Sequence, residues 1–212
     1  LKQIITIGAP AMLEQLLMRA GVIIYVKAIA GLGTVAYAVH HICMSIQAMS
    51  FMNGQGFAVS ATALTGQSLG KNRSDMAHAY VHRTRRLGMS VSILLGIIFI
   101  FWGGNIVSLY NDDPAIVAQG AKIMMFVGFT QPLQSSQFIL AGSLRGAGDT
   151  RATAIIIFIT VLLIRPFLAM YLINVWNMGL EGAWFAFIAD QTIRSALVLI
   201  RYNSGKWKSI KV

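Results

Sequence analysis

Six predominantly apolar stretches, 4–28, 35–69, 87–110, 116–144, 152–175 and 180–200, follow one another with short polar breaks between them. Each reaches the roughly 20 residues that an α-helix needs to cross a bilayer. Little chain is left over for a water-soluble domain, so the pattern predicts an all-α polytopic membrane protein with six transmembrane helices. The second stretch is longer than one crossing needs and contains Asn53-Gly54-Gln55-Gly56. It is expected to tilt, bend or run on past the membrane surface.

Polar and helix-breaking residues interrupt this pattern at particular places. Pro10 falls in the first turns of the first stretch, Pro132 near the centre of the fourth, and Pro166 near the centre of the fifth beside Arg165. A mid-helix proline frees a carbonyl and predicts a kink. Within a membrane such a break persists where protein or a water-lined cavity satisfies the freed group. Gly66 and Gly70, and Gly142 and Gly146, have the four-residue spacing that lets helices approach closely.

Composition agrees with the hydropathy pattern. Hydrophobic residues make up 56% of the 212 and charged residues 11%, where a globular chain carries about a quarter charged. The mean hydropathy is +0.67. A net charge of +10 would suggest nucleic acid in a soluble protein, but its placement excludes that reading. Lys2, then Lys71, Arg73, Arg83, Arg85 and Arg86, then Arg145 and Arg151, then Arg201, Lys206, Lys208 and Lys211 fall on alternate connections, twelve of the seventeen basic residues. Connections 30–34, 111–115 and 174–179 hold no Lys or Arg, and one carries Asp112 and Asp113. By the positive-inside rule both termini of this segment are expected in the cytoplasm. The single Cys43 lies in an apolar stretch and supports no disulfide framework. The chain opens on Leu1, and its first segment is too long for a signal peptide and lacks a cleavage site. It is expected to be a piece whose upstream residues are absent.

Charges in the apolar stretches are the candidates for chemistry, because a charge at that depth costs several kcal/mol without a partner. Asp190 has Arg194 four residues later, in the favourable acid-first order, and Arg165 at similar depth on the preceding stretch. The three are expected to form a structural ion pair that fixes the last two helices side by side; the functional alternative is a pair that exchanges partners. Glu14 stands a third to half of the way along the first stretch. Desolvation favours the neutral form of such a carboxyl, so it is a candidate to carry a proton or cation, the alternative being a fixed ion pair. Gln131, Gln134 and Ser135 fall on one face of the fourth stretch, with Ser136 and Gln137 flanking it. That face either lines a hydrated cavity or bonds neighbouring helices.

Other motifs carry less. His78 and His82 have helical spacing and could take zinc with Asp75, but the basic residues around them favour an interfacial segment against anionic lipid. The run Arg145-Gly146-Ala147-Gly148-Asp149-Thr150-Arg151 lacks the spacing and Lys of a phosphate loop and reads as a tight turn. No catalytic triad, metal motif or nucleotide fingerprint stands at useful spacing, so an enzyme, a resident metal and a cofactor are not expected.

Three runs carry a resemblance: GQGFAVSATALTGQSLGKNR at Gly54–Arg73, FILAGSLRGAGDTR at Phe138–Arg151, and LEGAWFAFIADQTIRSALVLIRYNSGKWK at Leu180–Lys208. Their order and spacing resemble the C-terminal lobe of bacterial multidrug and toxic compound extrusion (MATE) transporters, which have twelve helices in two six-helix lobes. The resemblance implies that residues 1–212 form one such lobe, with its N-terminal partner lobe outside this chain, in the bacterial inner membrane. It implies antiport: export of small organic, often cationic, drugs against inward H⁺ or Na⁺ by alternating access. Glu14 is the acid that matches the family's first-helix carboxylate, although some members place it one turn on, where this chain has Met18. Members with a sodium site add an Asp on the fourth helix, where this chain has glutamines. The resemblance further implies a substrate cavity lined by Met44, Gln47, Phe51, Gln131, Gln134 and Phe138. Alternatives are a flippase for a lipid-linked precursor, which the mid-membrane Arg19, Arg165 and Arg194 keep open, and a non-transporting six-helix scaffold.

Overall fold

The computed structural model describes the backbone of residues 2–209 and the side chains of Met12 and of residues 15–208. Among the described residues there are six long helices and no strand: α1 (Lys2–Ala30), α2 (Thr34–Gly70), α3 (Ser74–Ser108), α4 (Pro114–Gly146), α5 (Thr150–Asn174) and α6 (Gly179–Asn203). Each of the six apolar stretches lies mainly within one of them. The ends are set by local chemistry. Gly33, with φ 106°, closes the turn before α2, and Asn72, with φ 55°, the turn before α3. At the start of α4 the Asp113 side chain accepts the Ala115 N–H at 2.9 Å, and Pro114 takes the first helical position, where its missing N–H has no consequence.

The Asn53–Gly56 run breaks nothing: α2 is α-helical over all 37 residues, about 55 Å at ~1.5 Å per residue, and therefore outruns a ~30 Å hydrocarbon core. The two central prolines are absorbed differently. Pro132 sits inside a continuous α4. The Gly128 carbonyl that it leaves unbonded faces Gly96 of α3, so closely that a Cβ at Gly96 would stand 2.6 Å from the carbonyl oxygen. Ahead of Pro166, residues Phe158–Ile164 form a π-helical segment, and the Arg165 N–H bonds the Thr160 carbonyl five residues back. A π segment adds a residue to the turn, a device common at functional sites.

Glycines decide how the helices stack. Gly96 and Gly128 meet backbone to backbone, Gly103 lies on Met124 and Gly120 on Val107, so α3 and α4 run antiparallel along a seam of small residues. On its other side α4 runs parallel to α2: a Cβ at Gly142 would come within 2.5 Å of the Ala58 carbonyl oxygen, and one at Gly146 within 2.3 Å of that of Thr62. Close backbone approach of this kind replaces the hydrophobic drive, which is weak between helices already surrounded by lipid. Thr62 adds a hydrogen bond to the Gly142 carbonyl at 2.9 Å, and Thr65 and Ser143 pair at 3.1 Å. α6 packs against α4 and α5, while α1 lies on α5, with Gly21 pressed against the Val161 carbonyl of the π segment.

Thus α4 is enclosed by α2, α3 and α6. Among the described residues, α3, α5 and α6 are long and apolar enough to cross a membrane by length and composition alone. In α4 the central polar positions, Gln131 to Gln137, turn inward toward protein, whereas α2 divides its own: His40, Gln47, Thr65 and Ser68 are buried, and His41, Asn53, Gln55, Ser60 and Gln67 are exposed. Outward positions such as Leu94, Phe101, Trp102, Phe167 and Ile200 are large and apolar, as a lipid-facing surface requires. After α6, Gly205 (φ 68°) turns the chain into a short 3₁₀ helix, Lys206–Ser209, which docks the fully buried Trp207 onto Tyr202.

Candidate functional site

The π segment of α5 delivers Arg165 to α6. Arg165 Nε donates to Asp190 Oδ2 at 3.0 Å, its Nη2 contacts the same oxygen, and Arg194 Nη2 reaches that oxygen at 2.7 Å. Arg194 Nη2 also donates to the side-chain Oε1 of Gln191 at 2.6 Å. All three charges are buried, with Asp190 at 0% exposure. Two guanidinium groups on one carboxylate leave a net positive charge. It is spread over aromatic faces: the Arg165 guanidinium lies 4.7 Å from the Phe187 ring centre and 5.7 Å from that of Tyr25. The structure therefore brings Arg165, Asp190 and Arg194 together, across the α5–α6 contact.

Beside these charges stands a group the sequence reading passed over. Tyr25 of α1 donates its hydroxyl to the Ala183 carbonyl at 2.8 Å. The His40 ring of α2 lies 5.7 Å from Tyr25 and 5.5 Å from Trp184, which in turn stands 5.3 Å from Phe187. His40 at 2% exposure was visible as a polar residue in an apolar stretch, and that was the available signal. What joins it to Trp184 is helix packing.

The α4 polar face is wholly buried: Gln131, Gln134, Ser135, Ser136 and Gln137 are each under 5% exposed, and Gln47 of α2 is at 0%. Arg85 donates Nε to Ser136 Oγ at 2.8 Å. Several of the remaining amide and hydroxyl atoms have no hydrogen-bond partner among the described residues, namely both of Gln47, Nε2 of Gln131 and Gln134, Oε1 of Gln137 and Oγ of Ser135. Such groups are satisfied by water or by a ligand, since leaving them bare costs free energy.

A cavity of about 210 Å³ opens between α1, α2, α4, α5 and α6, lined by Gln15, Met18, Gln55, Gln137, Phe138 and Arg194. Arg145 also borders it, at the end of α4. Of the six cavity residues expected from the sequence, Phe138 lines this space. Phe51 packs edge-on against Phe138 at 5.7 Å and Met44 is half-buried. Gln47 and Gln131 are enclosed, with the Gln131 Cβ against Gly96 of α3, and Gln134 is buried on the same helix. The reason is the position of α4: with neighbours on three sides, most of its polar face meets protein. The Glu14 side chain lies outside the described residues. Its backbone belongs to α1, between Met12 and the cavity-lining Gln15.

The turn 145–151 is pinned by Arg201, whose Nε and Nη2 donate to the Asp149 carboxylate at 2.7 and 3.1 Å. Asp75 is held by Arg73, at 3.0 and 2.8 Å, ahead of the apolar part of α3. Those hydrogen bonds keep its carboxyl down at about 2. The carboxylate proposed as a third zinc ligand is thus already engaged by an arginine.

An all-helical bundle with an apolar exterior, a central polar helix and a charged interior is that of a polytopic membrane protein. The chain belongs to the MatE family, whose pattern it matches over residues 10–171. It is 28% identical over 207 residues to a probable multidrug resistance protein NorM of Thermotoga maritima, covering 98% of this chain and 45% of that protein. To a probable multidrug resistance protein NorM of Neisseria meningitidis it is 30% identical over 202 residues, covering 94% and 43%. The fold superposes on a crystal structure of MATE in the bent conformation with a TM-score of 0.89 at 15% identity, over 96% of this chain and 45% of that one. It superposes on an inward-facing multidrug resistance MATE family transporter of the MOP superfamily with a TM-score of 0.81 at 16% identity, over 99% and 49%. The chain spans about half the length of the relatives that it matches, and its fold is that of one MATE lobe.

Proposed function

We propose that this chain is one lobe of a secondary transporter that exports small organic, mainly cationic, compounds in exchange for H⁺ or Na⁺, with Glu14 as the coupling carboxylate. The supporting observation is the cavity beside α1. In the sequence Glu14 adjoins the cavity-lining Gln15 and precedes the cavity-lining Met18 by four residues, about one helical turn, which brings the α1 backbone that carries it to the edge of the space a substrate would use. Around that space Met18 and Phe138 offer polarizable and π surfaces suited to varied apolar cations, while Gln15, Gln55 and Gln137 offer hydrogen bonds. A cavity of this size holds part of a drug-sized molecule, and the partner lobe would supply the remaining wall.

The mechanism follows from charge. When Glu14 is ionised, a cation is favoured in the cavity; when it takes a proton or Na⁺, the cationic substrate loses that attraction and leaves. A ligand shifts a two-state equilibrium only by its differential affinity, so coupling requires substrate and ion to compete for one carboxylate. Both termini of the segment would face the cytoplasm, in keeping with the basic connections. The test is efflux of a fluorescent cation from vesicles containing the full-length protein, under separately imposed H⁺ and Na⁺ gradients. Glu14→Gln is expected to abolish gradient-driven efflux while folded protein persists; retained efflux refutes the assignment.

A further inference from the structure

A second cavity, of about 150 Å³, lies at the far end of the bundle from the Tyr25–Trp184 group, where α3 begins and α6 ends. Its polar lining is His78, His82, Arg85, Tyr202 and Asn203, over an apolar floor of Val81 and Leu140. Among the described residues no acidic side chain borders it. We propose that this cavity binds a phosphate group, carried either by the head of an anionic phospholipid or by free phosphate.

Three observations carry the assignment. Tyr202 is 7% exposed and its hydroxyl has no hydrogen-bond partner among the described residues. The ring cannot swing to find one, because it is stacked between His78 (5.9 Å, 24°) and Trp207 (5.2 Å, 15°). A buried, immobilised donor calls for an acceptor. Second, Arg85 is anchored by its Nε to Ser136 at 2.8 Å and, among the described residues, makes no ion pair. Arg73, Arg165, Arg194 and Arg201, by contrast, each hold an aspartate. The rest of the Arg85 guanidinium is a preorganised fork of the kind that fits phosphate. Third, the polar lining is donor-rich: guanidinium, phenol, carboxamide and two imidazoles. An anion with several acceptor oxygens matches such a set, with the donor-only guanidinium supplying the charge.

Size and place narrow the ligand. The space admits a tetrahedral oxyanion and is smaller than the ~300–1,000 Å³ of a site for a drug-sized molecule. It opens at the helix ends that carry Lys71, Arg73, Arg83, Arg86 and Arg201, the level at which lipid phosphates lie when these ends meet the cytoplasmic leaflet.

The experiment uses the full-length protein in a neutral detergent, with native mass spectrometry to count bound short-chain phosphatidylglycerol and with inorganic phosphate as a competitor. Tyr202→Phe keeps both ring stacks and removes only the hydroxyl; it is expected to weaken lipid binding several-fold. Arg85→Gln is expected to weaken it about tenfold, and Arg83→Gln, an exposed charge outside the cavity, less than twofold. Should Arg85→Gln fail to fold, Tyr202→Phe against Arg83→Gln carries the test. Competition by millimolar phosphate identifies the free anion as a ligand, and its failure to compete identifies the lipid head group. Absence of saturable lipid and phosphate binding, or equal losses in Tyr202→Phe and Arg83→Gln, overturns the proposal.

Discussion

Asp190→Asn tests the charged interior most directly. The carboxylate is fully enclosed and is the acceptor for two buried arginines, Arg165 and Arg194. Asparagine preserves size and an acceptor oxygen but removes the negative charge, leaving two like charges facing each other where no solvent screens them. Breaking a buried pair by removing one partner costs about 3–5 kcal/mol. For a chain of this size that is roughly 6–20 °C in the apparent melting temperature, at about 2–4 °C per kcal/mol. The assay is thermal unfolding in detergent followed by size-exclusion chromatography, with expression level as a second readout. Adding Arg165→Met removes one unpaired cation, so the double variant is expected to melt above Asp190→Asn alone; the double-mutant cycle isolates the pair. An Asp190→Asn protein that melts within about 2 °C of the wild type refutes the structural role. One that folds normally yet has lost ion-coupled efflux moves the charge cluster into the transport machinery.

Gly96→Ala places a methyl 2.6 Å from the Gly128 carbonyl oxygen, and overpacking of this kind is expected to cost about 1–3 kcal/mol. Gly56→Ala, with nothing within 4 Å, is expected to be neutral or to stabilise by up to ~1 kcal/mol; the two melting temperatures side by side check the seam. Trp207→Ala removes a fully buried ring stacked on Tyr202 and hydrogen-bonded to its carbonyl at 2.9 Å. A loss of about 3–5 kcal/mol is expected, read as lower thermal stability and faster proteolysis after α6. Arg201→Gln removes the bidentate partner of the buried Asp149 and is expected to cost about 1–3 kcal/mol, while hydrogen exchange at residues 145–151 rises.

The fold was legible because the bilayer imposes a length rule: six apolar stretches become six helices, and the charges Arg165 and Asp190 can lie in two neighbouring helices only if they meet. Local breaks were harder to read. Asn53–Gly56 left open whether the second stretch tilts, bends or runs on past the membrane surface; α2 is continuous through it and long enough to run on, with Gly54 packed against Phe138 offsetting weak helix propensity. Pro166 announced a disturbance, but that it takes the form of a π segment over Phe158–Ile164, directly ahead of the Arg165 that meets Asp190, is visible only in the structure.

The sequence alone determined the number and type of the elements, the family, and the requirement that mid-membrane charges be paired. It could not determine which face of α4 meets a cavity. Gln131 and Gln137 are equally polar in the sequence; α2 and α3 enclose the first, while the second borders open space. Nor could it join His78 and Arg85 to Tyr202, more than a hundred residues away. Those assignments depend on helix–helix distances, which glycine seams set to within an ångström or two, and a linear pattern of apolar and polar residues holds no record of them.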